Sequence, residues 1–441
     1  MKLEILTDPN PILRKPTEEV ARFDMELQTL IDDMVETMRA NDGIGLAAPQ
    51  VGVSKKIVVC EFEPTSKNDY PGFPLTVICN PKIKTKSNKE CKMVEGCLSF
   101  PGIGIMVKRP KDVQVVGLDR YGKPIEIEAD KLFSRVMQHE IDHLNSTLMI
   151  DHIEAADIVF FSTGKFGLKT LEALNSDPQY RIRAVVTDSK KLKCRGKNIE
   201  SSPVKELAKK LGLNVVEITS LDEEFTKKLK KLKPDLGVVI DFGYIIPKYL
   251  FEIPKFGIVN VHPSLLPKYR GPTPIQSSIL DGAKKTGVTI IKIDEGVDSG
   301  PILSQAEARL TKSANFEILY DYLAEAGAGL LLDTLPYYLT HELKPTNQNE
   351  AKASYSKMFT KKDGEVTLQT PAVEVERKIK AFYPWPGVYI NLNNLTIQIT
   401  AAHFDREKNL VIDRVKPAGK GEMNYDDFKR GHKILLTFPN S

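Results

Sequence analysis

The sequence lacks any long apolar segment. Its 441 residues contain no run of about eighteen apolar residues, which excludes a membrane-spanning helix. The first residues, MKLEILTD, are acidic where a secretory signal would have its apolar core, and they lack the Arg- and Ser-rich character of a transit peptide. We therefore predict a cytoplasmic protein without a membrane partner.

Cysteine is scarce and the net charge is small. The five cysteines show no paired spacing, and their odd number argues against a disulfide framework. A formal net charge of +4 does not indicate nucleic-acid binding by the whole protein, so that case depends on local clusters. With 41% hydrophobic and 27% charged residues, the composition predicts packed cores.

The order of strand-like and helix-like runs predicts two kinds of domain. Up to about residue 151, short strand-like runs accompany an early helix-like stretch, Met25 to Ala40, and a closing one, Lys131 to about Leu144. This order is typical of an α+β domain. From Ile158 to Ile240 strands and helices alternate, which predicts an α/β, Rossmann-like parallel sheet with ligands at the carboxyl ends of its strands.

The last part of the chain has a third pattern. Short alternating runs follow Trp385, the last of them Ile434 to Phe438, and they predict a small β-barrel-like domain of OB-like form. The chain is also too long for a single hydrophobic core. We therefore expect a multidomain protein with domains at 1–153, 157–346 and 347–441.

The strongest local signal is the segment QHEIDH at 138–143. Because His139 and His143 are four residues apart on a predicted helix, they share one face and can bind one metal ion. Glu140 can act as the general base on a metal-bound water. An open, water-bearing site needs a third ligand, and Cys97 offers a thiolate. The alternative is a surface helix with two unrelated histidines.

Three motifs in this order resemble those of peptide deformylases. They are GIGLAAPQ at 43–50, EGCLS at 95–99 and QHEIDH at 138–143, and the resemblance covers about the first 150 residues. It implies that Cys97, His139 and His143 bind the metal, with Glu140 as general acid and base. It also implies Fe(II) in the cell, with zinc, nickel or cobalt as substitutes. The chain departs from the family at Ser146, where a glycine is usual.

The same resemblance implies roles for residues around the metal. Gln50 and the backbone N–H of Leu98 would stabilise the oxyanion of the attacked formyl group. Gly45 would lie beside the substrate backbone, and Ile44 would line the pocket for methionine. The implied substrates are nascent formylated peptides at the ribosome.

A second constellation lies between residues 257 and 303. Asn260 and His262 are two apart, so they project from the same side of an extended segment that follows a buried strand. Asn260 can donate to a developing oxyanion. His262, if paired with Asp298, would be protonated and would stabilise the same charge, and Asp298 could accept the proton of an attacking amine.

This region resembles the catalytic core of folate-dependent formyltransferases, through NVHPSLLPKYRG at 260–271 and DEGVDSGP at 294–301. The nearest family is methionyl-tRNA formyltransferase, matched from about Ile158 to the end. The resemblance implies 10-formyl-tetrahydrofolate as formyl donor, no metal in this half, and initiator methionyl-tRNA as acceptor. Its signature loop would supply the folate contacts Ser264, Leu265, Leu266 and Pro267.

A basic loop at 190–197 bears on the acceptor. Its Arg195 and Lys197 match the loop with which tRNA-specific members of the family engage the acceptor stem, and a phosphate-binding loop would be basic. A solvated charge run is the alternative.

Three other hypotheses for the whole chain remain open. The second half could be a sugar-nucleotide formyltransferase, since that family shares the Asn–His–Asp core. The first half could be a His-Glu metallopeptidase, which would not use Cys97 as a ligand. The chain could also be a tRNA- or ribosome-binding module with decayed sites.

Overall fold

The structure is a computed structural model that describes residues 1–64, 70–189, 192–193, 199–311, 313–432 and 434–440. The chain divides into two compact units. One comprises Met1–Ala155 with Leu339–Glu342, and the other comprises Ala156–Tyr338 with Leu343–Ser441. Over the described ranges, no helix combines the length and apolar character that crossing a bilayer requires. The domain limits expected near residues 153 and 347 stay predictions.

The first unit is built on antiparallel strands. Its five-stranded sheet has the order β1-β2-β3-β6-β7, while β4 and β5 form a separate hairpin. Two helices accompany these strands, as expected for an α+β domain. The elements are β1 (Gly45–Ala47), β2 (Ile57–Phe62), β3 (Phe73–Lys86), β4 (Glu90–Cys97), β5 (Phe100–Pro110), β6 (Asp112–Leu118), β7 (Pro124–Asp130), α1 (Met25–Ala40) and α2 (Lys131–Leu144).

The two helices of this unit bury different kinds of residue. In α1, which the Asp24 side chain caps by accepting from the Leu27 N–H, the buried side is mainly apolar and includes Ile31 and Met34. Helix α2 instead buries polar and charged side chains: Ser134, Arg135, Gln138, His139, Glu140 and His143. Since burying polar groups is costly unless they are paired, α2 marks a site.

The second unit contains a seven-stranded sheet. Its order is β12-β9-β8-β13-β14-β15-β16; the first five strands are parallel, and β15 and β16 add antiparallel pairs at one edge. The strands of this sheet are β8 (Ala156–Ser162), β9 (Tyr180–Asp188), β12 (Val215–Ile218), β13 (Leu236–Ile240), β14 (Ile258–His262), β15 (Lys285–Lys292) and β16 (Ile302–Arg309). A separate antiparallel pair is formed by β10 (Leu192–Lys193) and β11 (Ile199–Glu200).

Helices connect these strands as the alternating pattern predicted. They are α3 (Leu168–Ser176), α4 (Pro203–Lys210), α5 (Glu223–Leu232), α6 (Lys248–Phe251), α7 (Pro274–Leu280) and α8 (Phe316–Leu339). The strand order changes direction at β8, which lies between β9 and β13. In open α/β sheets such a switch point, at the carboxyl ends of the strands, is where ligands bind.

The C-terminal part forms an antiparallel sheet in the order β17-β18-β19-β20. Its elements are α9 (Ala372–Phe382), β17 (Val388–Leu392), β18 (Leu395–Phe404), β19 (Leu410–Pro417), β20 (Met423–Asn424) and α10 (Tyr425–His432). Among the described strands β17 and β20 are not paired with each other, so the expected barrel is not confirmed.

The expected strand Ile434 to Phe438 is wrong. This segment buries alternate side chains, Leu436 and Phe438, which explains the strand-like pattern. Its backbone, however, bonds outside any sheet. The Leu436 N–H donates to the Tyr425 hydroxyl, and the nearby Pro439 carbonyl accepts from the Ala372 N–H at the start of α9.

The burial pattern of α1 gives a testable prediction. Met34 is completely buried, whereas Met25 in the same helix is 79% exposed. Met34→Ala should lower the free energy of unfolding by about 2–5 kcal/mol, because the truncated side chain leaves a cavity. Met25→Ala removes the same atoms from an exposed side chain and should change the free energy of unfolding by less than about 0.5 kcal/mol. Urea unfolding followed by circular dichroism measures both, and equal effects would contradict this packing.

Candidate active sites

The first candidate site lies where the β4–β5 hairpin meets helix α2. Cys97 ends β4, and His139 and His143 lie one turn apart on α2. The possible ligand atoms of these three residues all lie within 4.8 Å of one another. The Cys97 Sγ atom is 3.3 Å from His143 Nε2. The three side chains that the sequence suggested as ligands are therefore brought together.

This donor set fits a metal ion. A thiolate and two imidazoles supply three ligands of a tetrahedral site and leave the fourth position open. Within the described residues, Glu140 Oε2 is a buried oxygen without a hydrogen-bond partner. Because buried polar atoms are normally paired, this oxygen fits a water or substrate group at the open position.

The Glu140 carboxyl is tuned by its surroundings. Burial raises its pKa to about 7, a value suited to taking and giving protons near neutral pH. Its Oε1 lies against the backbone of Gly45, where a Cβ atom would come within 2.3 Å. A side chain at residue 45 would therefore displace the carboxylate. The sequence did not indicate this reason for a glycine.

Gln50 is held in a fixed orientation beside the thiol. Its Oε1 accepts from the Ala47 N–H at 2.8 Å, which turns its Nε2 toward Cys97 Sγ, 3.4 Å away, and Ser99 Oγ, 3.3 Å away. An amide N–H₂ fixed next to the metal ligands can donate to an oxyanion. The role of Gln50 toward the oxyanion of a formyl group stays a prediction.

Leu98 and Ile44 are partly buried residues that pack against two different cores of this unit. Leu98 packs against the core that contains α1, and Ile44 packs against the core of the five-stranded sheet. The role of the Leu98 N–H toward an oxyanion and that of Ile44 toward methionine stay predictions.

The sequence reasoning missed Glu95, which supports the site from behind. Its buried carboxylate accepts from Arg109 at 2.6 and 2.9 Å, from Arg135 at 2.6 Å, and from His139 Nδ1 at 2.9 Å. Burial opposes ionisation of Glu95, but the hydrogen bonds from His139 and Arg109 outweigh it and hold its pKa well below the usual range. By engaging Nδ1, Glu95 leaves His139 Nε2 for the metal.

A signal for Glu95 was present in the sequence. Glu95 precedes Cys97 by two positions on β4, and in a regular strand such residues face the same side. The pairing of β4 with β5 shifts register between these two residues, so the signal is only approximate. The rest of the cluster has no local signal. Arg109 also donates to Asp142 at 2.6 Å, and Asp142 pairs with His152 at 2.8 Å.

The second candidate site lies at the carboxyl end of β14. The Asn260 amide donates to Asp298 Oδ1 at 3.2 Å, and His262 Nδ1 lies 3.5 Å from Asp298 Oδ2. The Gly271 N–H donates to Asp298 Oδ2 at 2.7 Å. The amide, imidazole and carboxylate that the sequence suggested therefore form one cluster, with Asp298 contributed by the segment between β15 and β16.

His262 is buried between two oxygen acceptors. Its Nε2 lies 3.0 Å from the carbonyl oxygen of Tyr269, and its Nδ1 faces Asp298. Both ring nitrogens therefore face oxygen acceptors. The role of His262 toward an oxyanion stays a prediction.

The signature loop at 264–267 is tied to the sheet. The Ser264 hydroxyl donates to the Lys268 carbonyl at 2.7 Å, and the Thr289 hydroxyl donates to the Ser264 carbonyl at 2.6 Å. The Leu266 carbonyl accepts from Gln305 at 2.8 Å. These bonds use polar groups of Ser264 and Leu266 within the protein. Folate contacts by Ser264, Leu265, Leu266 and Pro267 stay predictions. Arg195 and Lys197, the suggested tRNA contacts, lie outside the described residues.

The two sites define the class of the protein. One unit brings together a thiol and two imidazoles that fit a metal ion. The other holds an amide, an imidazole and a carboxylate at the end of a parallel strand. The chain is thus a multidomain enzyme with two separate sites.

Comparisons with known proteins identify both parts. Residues 2–158 match the family Polypeptide deformylase, residues 156–335 match Formyl transferase, and residues 358–409 match the Formyl transferase C-terminal domain. A methionyl-tRNA formyltransferase of Roseiflexus castenholzii is 35% identical over 301 residues, covering 63% of this chain and 96% of the relative. The chain therefore belongs to the methionyl-tRNA formyltransferase family and carries a peptide deformylase domain ahead of it.

Other relatives agree. The methionyl-tRNA formyltransferase of Caldicellulosiruptor saccharolyticus is 38% identical over 256 residues, covering 58% of this chain and 82% of the relative. Among solved structures, the peptide deformylase of Ehrlichia chaffeensis has 41% identity, covers 35% of this chain and 89% of its own, and has a TM-score of 0.33. That of Legionella pneumophila has 42% identity, covers 35% and 87%, and has a TM-score of 0.32. The methionyl-tRNA formyltransferase relatives do not favour the sugar-nucleotide alternative.

The thiol at residue 97 can be tested as a ligand. Cys97→Ser should weaken metal binding by more than the roughly 10- to 100-fold that loss of an outer partner costs, because it removes a ligand atom. Cys79→Ser is the control for the loss of a thiol, since Cys79 is buried in the core that contains α1 and lies outside the ligand cluster. Elemental analysis of both proteins after dialysis measures the bound metal. Equal metal content in the two variants would exclude Cys97 as a ligand.

Proposed function

We propose that this chain is a bifunctional enzyme. One site removes the formyl group from formyl-methionyl peptides, and the other transfers a formyl group from 10-formyl-tetrahydrofolate to initiator methionyl-tRNA. The observation that carries the proposal is the convergence of Cys97, His139 and His143 beside the unpartnered Glu140 oxygen, on a chain that separately assembles a formyltransferase-type cluster.

In the deformylase site the protein residues divide the work. Cys97, His139 and His143 would hold the metal, which would supply a coordinated water with its pKa lowered toward about 7. Glu140 accepts the proton of the attacking water and later delivers it to the departing amine. Gln50 and the Leu98 N–H donate to the oxyanion. Formate and a peptide with a free N-terminus leave.

The proposed metal is Fe(II), with zinc, nickel or cobalt as working substitutes. A thiolate with two imidazoles suits several of these ions, so the protein's contribution is the geometry of the site. Ile44 and Gly45 are the proposed contacts for the methionine side chain and the peptide backbone.

In the formyltransferase site the amino group of methionyl-tRNA attacks the formyl carbon of the folate. Asn260 and protonated His262 stabilise the oxyanion that forms on the formyl oxygen. Asp298 accepts the proton that the amine loses, either directly or through water. Collapse of the intermediate breaks the bond to the folate nitrogen, which takes up the proton that Asp298 accepted, and tetrahydrofolate leaves. Ser264, Leu265, Leu266 and Pro267 are the proposed folate contacts.

The macromolecular partners follow from the same assignment. The curated relatives are named methionyl-tRNA formyltransferases, which supports a tRNA acceptor. Arg195 and Lys197 are the proposed contacts to its acceptor stem, and an OB-like tail domain would offer further backbone contacts. Nascent peptides at the ribosome are the proposed deformylase substrates. We propose that the protein works in the cytoplasm.

Both activities can be measured on one purified protein. We expect the full-length chain to release formate from formyl-Met-Ala-Ser and to formylate methionyl-tRNA when 10-formyl-tetrahydrofolate is supplied. Failure of either reaction with metal-loaded protein would remove that half of the proposal.

A variant of Glu140 tests the deformylase half. Glu140→Gln keeps the size of the side chain but removes its ability to carry a proton, so formate release should fall by about 10²- to 10⁴-fold. Metal content and formylation of methionyl-tRNA should stay as in the wild type. Retention of formate release would show that another group moves the proton.

A variant of Asp298 tests the formyltransferase half, with the deformylase activity as the control. Asp298→Asn should lower formylation by at least about 10²-fold, because the amide cannot accept the amine's proton. Formate release serves as the internal control and should be unchanged. Asp333→Asn, an exposed change on α8, controls for the loss of a charge. Normal formylation by Asp298→Asn would rule out the assigned role.

A further inference from the structure

The signature loop of the formyltransferase site is paired with a distant segment of the same unit. We call residues 346–357, which lie between α8 and α9, the strap. The Ser354 N–H donates to the Pro267 carbonyl at 3.2 Å, the Arg270 N–H to the Ser354 carbonyl at 2.8 Å, and the Ser356 N–H to the Arg270 carbonyl at 2.7 Å. The strap therefore runs along the loop as a strand would.

Arg270 joins the loop to the strap through its side chain. It is 1% exposed. Its guanidinium donates to Glu350 at 2.6 and 2.9 Å and to Gln348 Oε1 at 2.8 and 3.1 Å, with a further bond to the Tyr355 hydroxyl at 3.1 Å. These partners satisfy the planar donor groups of the guanidinium and fix the amide plane of Gln348.

Gln348 in turn holds the segment that carries the catalytic carboxylate. With its Oε1 turned to Arg270, its Nε2 donates to the carbonyl oxygens of Asp298 and Gly300, both at 2.8 Å. Asp298 has a φ of +49°, in the left-handed region that residues with a side chain seldom adopt. Such a conformation persists only where surrounding contacts over-determine it, and Gln348 supplies two of them.

We infer that Gln348 is a positioning residue for formyl transfer, and this inference rests on the function proposed above. Asp298 is held at two levels: Asn260 and the Gly271 N–H hold its carboxylate, and Gln348 holds its backbone. Arg270 sets the amide of Gln348, so a link runs from the signature loop through the strap to the proton acceptor. Gln348, which lies in the strap after α8, thus supports the position of Asp298.

The simplest alternative is that the strap only ties the parts of the unit together. In that case loss of the Gln348 hydrogen bonds would lower the stability of the protein. The apparent kcat would then fall only in proportion to the fraction of protein that unfolds. A positioning role predicts a different result: the folded protein binds its substrates normally but reacts slowly, because a small displacement of a catalytic group costs rate.

The test uses full-length protein with Gln348→Glu and Gln348→Met. The glutamate keeps acceptors for Arg270 but loses the Nε2 donors, while the methionine matches the length without adding charge. Both should lower kcat for methionyl-tRNA formylation by about 10- to 100-fold. KM for methionyl-tRNA and for 10-formyl-tetrahydrofolate should stay within about twofold, as expected for loss of a transition-state effect. Gln369→Glu, an exposed position, is the matched control and should behave as wild type.

The outcomes distinguish the proposed function from the positioning role of Gln348. If the wild type does not formylate methionyl-tRNA, the proposed function fails. If the wild type does so and either Gln348 variant keeps full kcat, the inference is overturned. A thermal transition lowered in proportion to the lost kcat, with the KM values raised as well, would overturn it in favour of a purely structural strap.

Discussion

The carboxylate of Glu95 is buried among Arg109, Arg135 and His139, and the first site depends on this cluster. A lone buried carboxylate would be very unfavourable, so the two guanidinium groups are a condition for its presence. Once in place, it fixes the ring of His139 and with it the direction of one metal ligand. The antiparallel hairpin β4–β5 brings Glu95 and Arg109 together, so the fold and the chemistry of this unit meet at one ion cluster.

The second site also depends on a buried charge that must be paired, but here the buried charge is positive. Here the buried group is a guanidinium, Arg270, and its partners come from the strap. In both sites a charged residue that never needs to touch a substrate orders the groups that do. Such arrangements hold catalytic side chains in place before the reaction begins, which is the main source of electrostatic catalysis.

Local features could be read from the sequence because they have short-range causes. The limits of α1 and α2 follow from apolar periodicity, and His139 and His143 share one face because they are one helical turn apart. Cys97, Asn260 and Asp298 came from motifs. What was missed or wrong depends on long-range contacts: Gln348 meets Asp298 across 50 residues, and the alternation at 434–438 arises without any sheet. Periodicity carries no information about such partners.

The strap also bears on how the chain may be divided. The pattern of strand-like and helix-like runs changes near residue 347, which invites a cut between the Rossmann-like part and the tail. Such a cut would remove Ser354, whose backbone bonds to Pro267 and Arg270. It would also leave the Arg270 guanidinium without the Glu350 carboxylate. A boundary that keeps the strap with the Rossmann-like part preserves these contacts, whereas a boundary at residue 347 removes them.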